Sequence, residues 1–222
     1  MSIEEGVSGF PDEGVVEYTG RAAGQDTHEF LQGDVTRALV ELITNRDDAY
    51  RRQGRNGPIL IKVEHGRRVA HNRVVVQDQA GGMSRQDIHD RLLKAGAEAS
   101  GHAEGLEVRG LHGRGAKDVA GFGRAEFETI RDGHYCKVVL FPDFHYKIIE
   151  DRPTKPADFQ SLDIAPGGGG LKVTMFVERP RFSVPRHHNL ATAWRRPYQL
   201  PPFPRRNNNQ IRQVGLTRPQ QR

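Results

Sequence analysis

Val35-Thr-Arg-Ala38-Leu39-Val-Glu41-Leu42-Ile-Thr-Asn45-Arg-Asp-Asp48-Ala49 is the stretch on which the reading of this chain turns. Val35, Ala38, Leu39, Leu42 and Ala49 recur at helical spacing and fall on one face. Asp34 can cap such a helix, and the Gln-Gly-Arg-Asn-Gly-Pro after Arg52 ends it, so the pattern predicts a helix over 34–52. Glu41, Asn45 and Asp48 follow at i, i+4 and i+7 and line up beside the apolar face. A carboxylate, an amide and a second carboxylate at the edge of a buried face are costly unless they have partners. One reading makes them a charged flank pairing with Arg37, Arg46 or Arg52. The other makes them a site. In that reading Asn45 offers an oxygen to Mg²⁺, and Glu41, one turn away, orients or deprotonates an attacking water.

Working outward, strands are expected at 15–18, 59–63, 73–77, 125–131, 135–141 and 171–177. A helical turn is expected over 27–32, a helix from Ser84 to about Lys94, and a short helix near Gly115. Helices come early and strands dominate the second half. That order favours an α+β two-layer sandwich over a doubly wound parallel sheet.

Two glycine-bearing turns flank the small-residue stretch 95–105, which reads as a mobile loop. The first, Asp78-Gln-Ala-Gly81-Gly82-Met83, follows the apolar strand Val74-Val-Val-Gln77. Its glycines let backbone approach a ligand, Asp78 can accept from an exocyclic amine, and Met83 offers a soft surface to a flat ring. An ordinary Asx-type turn would account for it equally well. The second, Gly110-Leu-His-Gly113-Arg-Gly115-Ala-Lys117, places free N–H groups and a point charge where phosphate is accommodated. It is neither a Walker A loop nor a dinucleotide fingerprint, and by itself it could be a plain loop.

In this order the three motifs resemble those of the GHKL ATPases: DNA gyrase B, the ninety-kilodalton heat-shock chaperone, histidine kinases and MutL. Glu41-Leu-x-x-Asn45-x-x-Asp48-Ala49 is similar to the N box, and Asp78 to Met83 to the first glycine box. Gly110 to Lys117 is similar to the second glycine box, with 95–109 in the position of the ATP lid. Gly170-Leu-Lys-Val-Thr-Met-Phe-Val177 stands where that superfamily has its late Gly-Thr strand. The resemblance implies a Bergerat fold, a mixed, mostly antiparallel sheet with helices on one face, and ATP bound between sheet and lid. It implies that Asp78, with Gly82 and Met83, receives adenine, and that Asn45 holds Mg²⁺ with Asp48 beside it. Glu41 becomes the general base, and Gly110, Gly113, Gly115 and Lys117 approach the phosphates. Ala80 replaces the usual first glycine of its box, which is tolerable at negative φ. Leu171 stands where threonine is usual.

The N box ends in Asp48-Ala49, unlike that of the sensor kinases, and no phosphoacceptor helix precedes it, so the chain leans toward the gyrase, chaperone and MutL side. The function expected is Mg-dependent ATP binding and hydrolysis, with lid closure driving a conformational switch or an ATP-dependent homodimer. Two alternatives stay open: a nucleotide-gated binding module without turnover, and a protein kinase of the histidine-kinase-like class.

Charge divides the 222 residues, whose net charge is +5. Residues 179–222 hold ten Arg, no Lys, no acidic residue and seven of the 13 prolines, while 23 basic and 28 acidic residues give 1–178 a net −5. The expected division is a folded domain over 1–178 and a basic, mostly irregular tail over 179–222. That tail is either a linker or a contact surface for nucleic acid or an acidic protein partner. One cysteine excludes a disulfide framework and a cysteine-rich zinc site. The 10 histidines form no metal pattern. No signal peptide or membrane-length apolar run is read, so a cytoplasmic, membrane-free setting is expected.

Overall fold

No glycine or proline interrupts Val35 to Arg52, and α1 (Val35–Arg52) forms as one helix of 18 residues. Arg51 and Arg52 lie in its last turn, where positive charge opposes the negative end of the helix dipole. The chain then reverses at Gly54, φ +64°, with the Gly54 and Arg55 N–H groups bonded back to the carbonyls of Arg51 and Tyr50. The computed structural model describes residues 11–18, 35–65, 71–95, 119–178, 184 and 214–215.

Before α1 come β1 (Glu13–Val15) and β2 (Glu17–Tyr18). After it come β3 (Pro58–Glu64), β4 (His71–Asp78), α2 (Arg85–Ile88) and β5 (Lys94–Ala95). The second half holds β6 (Ala125–Arg131), β7 (His134–Leu140), β8 (His145–Pro153), α3 (Pro156–Ser161) and β9 (Gly170–Glu178), and β10 (Val214–Gly215) comes last. Eight strands form one sheet in the order β1-β8-β7-β6-β9-β4-β3-β10, antiparallel at every pairing. A separate parallel pair, β2 with β5, makes the strand set mixed but mostly antiparallel. This is the α+β architecture expected. The β6–β7 hairpin turns on Asp132 and Gly133, both at positive φ, as a two-residue hairpin of matching twist requires.

Alternate residues of the strands face α1. Ile59, Ile61, Val74, Val76, Phe127, Val173 and Met175 are all buried in one cluster with Leu39, Leu42, Ile43 and Tyr50 of the helix. Burying each such side chain contributes about 1.5–3 kcal/mol. Residues of opposite parity, Ile130 and Tyr135, form a small second cluster with Leu162 and Ile164, against which Phe159 of α3 packs. So α1 covers one face, and α3 with the turn after it covers a corner of the other.

Several elements differ from expectation. The strand expected over 15–18 is two pieces in two different sheets, broken at Val16, which is buried and bonded through its N–H to the Phe144 carbonyl. The helix expected from Ser84 to Lys94 is α-helical only to Ile88 and continues as a π turn over His89–Leu93. Its start is as expected: Ser84 accepts from the Asp87 N–H, and Asp87 returns a bond to the Ser84 N–H. The sequence pattern predicts neither strand β8 nor helix α3. Two pieces of chain beyond 178 sit on the domain: Val184 is buried in the main cluster, and β10 pairs with β3. Of the loop expected over 95–109, Ala95 belongs to β5 and the rest lies outside the described residues, as do the expected turn at 27–32, the second glycine run and the start of the short helix expected near Gly115. Just after that run, a 3₁₀ turn spans Val119–Phe122.

Candidate functional site

Helix α1 and the end of β4 meet at the Asp78 turn, and three side chains from the helix end fasten them together. The Tyr50 hydroxyl accepts the Gln79 N–H at 2.8 Å and donates to the Pro58 carbonyl at 2.8 Å. Gln53 Nε2 donates to the Ala80 carbonyl at 2.5 Å, and Arg55 donates to the Gln79 carbonyl while its guanidinium lies over the Tyr50 ring.

From the other side the turn is closed by glycine backbone. Gly81 and Gly82 take φ of +80° and +68°, and a Cβ on Gly82 would stand 2.1 Å from the Ile130 carbonyl. Gly170 is as tightly placed, since its Cβ would meet the Asp78 carbonyl at 2.4 Å. The buried Thr129 hydroxyl accepts the Met83 N–H at 2.7 Å and reaches the Gly170 carbonyl at 3.2 Å. Ala80 is not among the residues at positive φ, so the methyl that replaces glycine there is accommodated.

Asp78 is buried, with one carboxylate oxygen accepting the Ala80 N–H at 2.7 Å. The register β4–β9 sets Leu171 opposite Asp78, and the Leu171 backbone adds a further hydrogen bond to the carboxylate. The other oxygen faces Arg46 Nε at 3.4 Å, and both side chains are nearly inaccessible. Burial pushes the Asp78 carboxyl up, opposed first by Arg46 and then by the backbone donors. Burial likewise lowers Arg46, opposed by Asp78. Arg46 therefore occupies the core-facing row of α1 with Leu42, Ile43 and Tyr50, a position where sequence reading had offered it only as a surface partner.

Glu41 and Asn45 are half-buried on α1, and Asp48 is buried. Burial raises the Glu41 carboxyl above the ordinary carboxylate range, and the nearby Asp48 charge raises it further. Met83 packs against the main core cluster. The structure thus brings Asp78, Gly82 and Met83 to one turn and holds that turn against the helix carrying Glu41, Asn45 and Asp48. Gly110, Gly113, Gly115 and Lys117 lie outside the described residues.

Reading the sequence missed Tyr50, Gln53, Arg55 and Thr129. Thr129 left one signal, a polar residue in the row of Ala125 and Phe127 that faces the core. Arg46 left the same signal in the row of Leu39 and Leu42.

Among the described residues, no group of three or more His, Cys, Asp or Glu is placed to hold a metal ion. No helix among them is long and apolar enough to cross a membrane. A search of curated proteins found no match. The family model described as histidine kinase-, DNA gyrase B-, and HSP90-like ATPase matches residues 34–151, just over half of the chain.

Proposed function

The chain belongs to the histidine kinase-, DNA gyrase B-, and HSP90-like ATPase family, and from that premise we propose that it is a Mg-dependent ATP-binding and ATP-hydrolysing domain. The observation that carries the reading is the junction of α1 with the Asp78 turn. A buried carboxylate stands at the end of β4, and the helix carrying Glu41 and Asn45 is pinned to the next two residues by Tyr50 and Gln53.

In this reading Asp78 accepts the exocyclic amine of adenine beside Met83 and the Gly81–Gly82 backbone. Glu41 takes a proton from the attacking water, for which its raised pKa suits it better than an ordinary carboxylate. The donor set fits Mg²⁺ in its usual mode with nucleotides, in which the protein gives few oxygens and phosphates and waters complete the shell. Asn45 would supply the amide oxygen, with Asp48 beside it. When bound, the ion would neutralise phosphate charge and polarise the transferring group. Gly110, Gly113, Gly115 and Lys117 would approach the phosphates, and residues 95–109 would close over ATP and drive a conformational or dimerisation switch. Amide exchange over 95–109 should then slow when a non-hydrolysable ATP analogue binds. The basic segment 179–222 would offer its Arg side chains to nucleic acid or an acidic protein.

Titration calorimetry of the full chain with MgATP tests the binding half. Asp78→Asn should weaken ATP about ten- to a hundred-fold, the loss of a charge-assisted hydrogen bond in a buried site. Unchanged affinity would remove Asp78 from the adenine site.

A further inference from the structure

Arg46 is nearly inaccessible, yet among the described residues its Nε and Nη2 find no hydrogen-bond partner, and the one carboxylate set against its charge is Asp78 at 3.4 Å. A buried guanidinium left so incompletely satisfied is costly. Its position is specific: it lies directly beside the one carboxylate oxygen of Asp78 that the Ala80 N–H does not take. An acceptor and a spare donor therefore stand side by side at the end of β4.

We infer that Arg46 is a base-recognition residue, donating through its spare N–H to the ring nitrogen next to the purine amine that Asp78 accepts. The inference rests on the nucleotide reading above. The paired groups match the edge of a 6-aminopurine, which presents an amine donor and a ring acceptor on adjacent atoms. A 6-oxopurine reverses both. It needs a donor at position 6 and an acceptor for the N1 proton, and guanine's 2-amino group asks for a second acceptor oxygen. At Asp78 that second oxygen is already held by backbone N–H. The site therefore selects adenine through two contacts, with Arg46 converting its missing hydrogen bond into affinity when the base arrives.

The test uses the full chain and two probes, ATP and 1-deaza-ATP, in which C–H replaces the ring nitrogen. Wild type should bind ATP about ten- to a hundred-fold more tightly than 1-deaza-ATP. Arg46→Met should bring the two within about three-fold by weakening ATP. Arg46→Lys, which keeps a charge against Asp78, serves if the methionine variant does not melt cooperatively, and should narrow the gap in the same direction. Equal binding of the two probes to wild type, with ATP still tight, overturns the inference and leaves the nucleotide reading intact. So does a preference for ATP that persists undiminished in the variants, or tighter ATP binding by Arg46→Met, which would mean that Arg46 competes with the base. If neither probe binds wild type, both readings fall.

Discussion

The Tyr50 hydroxyl and the Gln79 backbone N–H are 2.8 Å apart, joining the last turn of α1 to the residue after Asp78. This bond makes the polar stripe of the helix and the acid at the strand end parts of one rigid arrangement. Tyr50→Phe keeps the buried ring but leaves the Gln79 N–H and the Pro58 carbonyl without that partner. The expected loss is about 1–3 kcal/mol of folding stability, read from the urea midpoint at unchanged m-value. An unaltered midpoint would show that water replaces the hydroxyl and that the clasp carries no energy.

The two glycines of the turn should differ in tolerance. Gly82→Ala must place a methyl 2.1 Å from the Ile130 backbone carbonyl at φ +68°, so backbone has to move. A loss of about 3 kcal/mol or more, or failure to fold, is expected. Gly81→Ala has the same φ problem, but its closest neighbour is the Gln53 side-chain amide, which can swing away. Its cost should stay near 1–2 kcal/mol. Comparable melting temperatures for the two variants would contradict this description of the turn.

Arg46 and Asp78 should be coupled in stability. Removing either charge alone leaves the other buried and uncompensated, costing about 3–5 kcal/mol. Arg46→Met with Asp78→Asn should therefore be less destabilised than the sum of the single variants, by about 1–3 kcal/mol. Additive effects in denaturant melts would mean that the pair at 3.4 Å is a proximity without energetic content.

With Glu41 as the general base proposed above, the pH dependence of turnover should follow its titration. A general base works ionised, so hydrolysis should fall as pH drops through its raised pKa. Asp48→Asn removes the second cause of that elevation and leaves the first, burial. The acid limb of the kcat profile should move to lower pH without reaching that of an exposed glutamate. A limb that does not move would mean that Glu41 is not the group titrating.

Much of this was legible in the sequence because local rules suffice there. The helix over Val35–Arg52 follows from periodicity and its glycine-proline stop, and β6 from alternation of apolar residues. The Asp78 turn announced itself through its paired glycines. What escaped depends on tertiary partners. Thr129 reads only as part of a strand and Tyr50 carries no sequence signal at all, because their partners, the Met83 and Gln79 N–H groups, are met only across the fold. Sequence spacing alone makes Arg46 a surface cation, because it does not show that Asp78 lies across the core. Strand β8 runs through charged residues whose pairing with β7, not their propensity, keeps them extended. Strand β10 is only two residues long and rests wholly on the edge of β3.

The most direct test of the central claim is single-turnover phosphate release by wild type, Glu41→Ala and Asn45→Ala, with MgATP affinity measured in parallel. Both side chains lie on the same helix one turn apart, yet the account gives them separate tasks. Glu41→Ala should hold ATP within a few-fold of wild type and lose about 10²–10⁴ in rate, the usual contribution of a positioned general base. Asn45→Ala should lose Mg-dependent affinity and turnover together. Matching losses of affinity in both variants, with no separate effect on rate, would contradict the account and make the stripe a structural edge of α1.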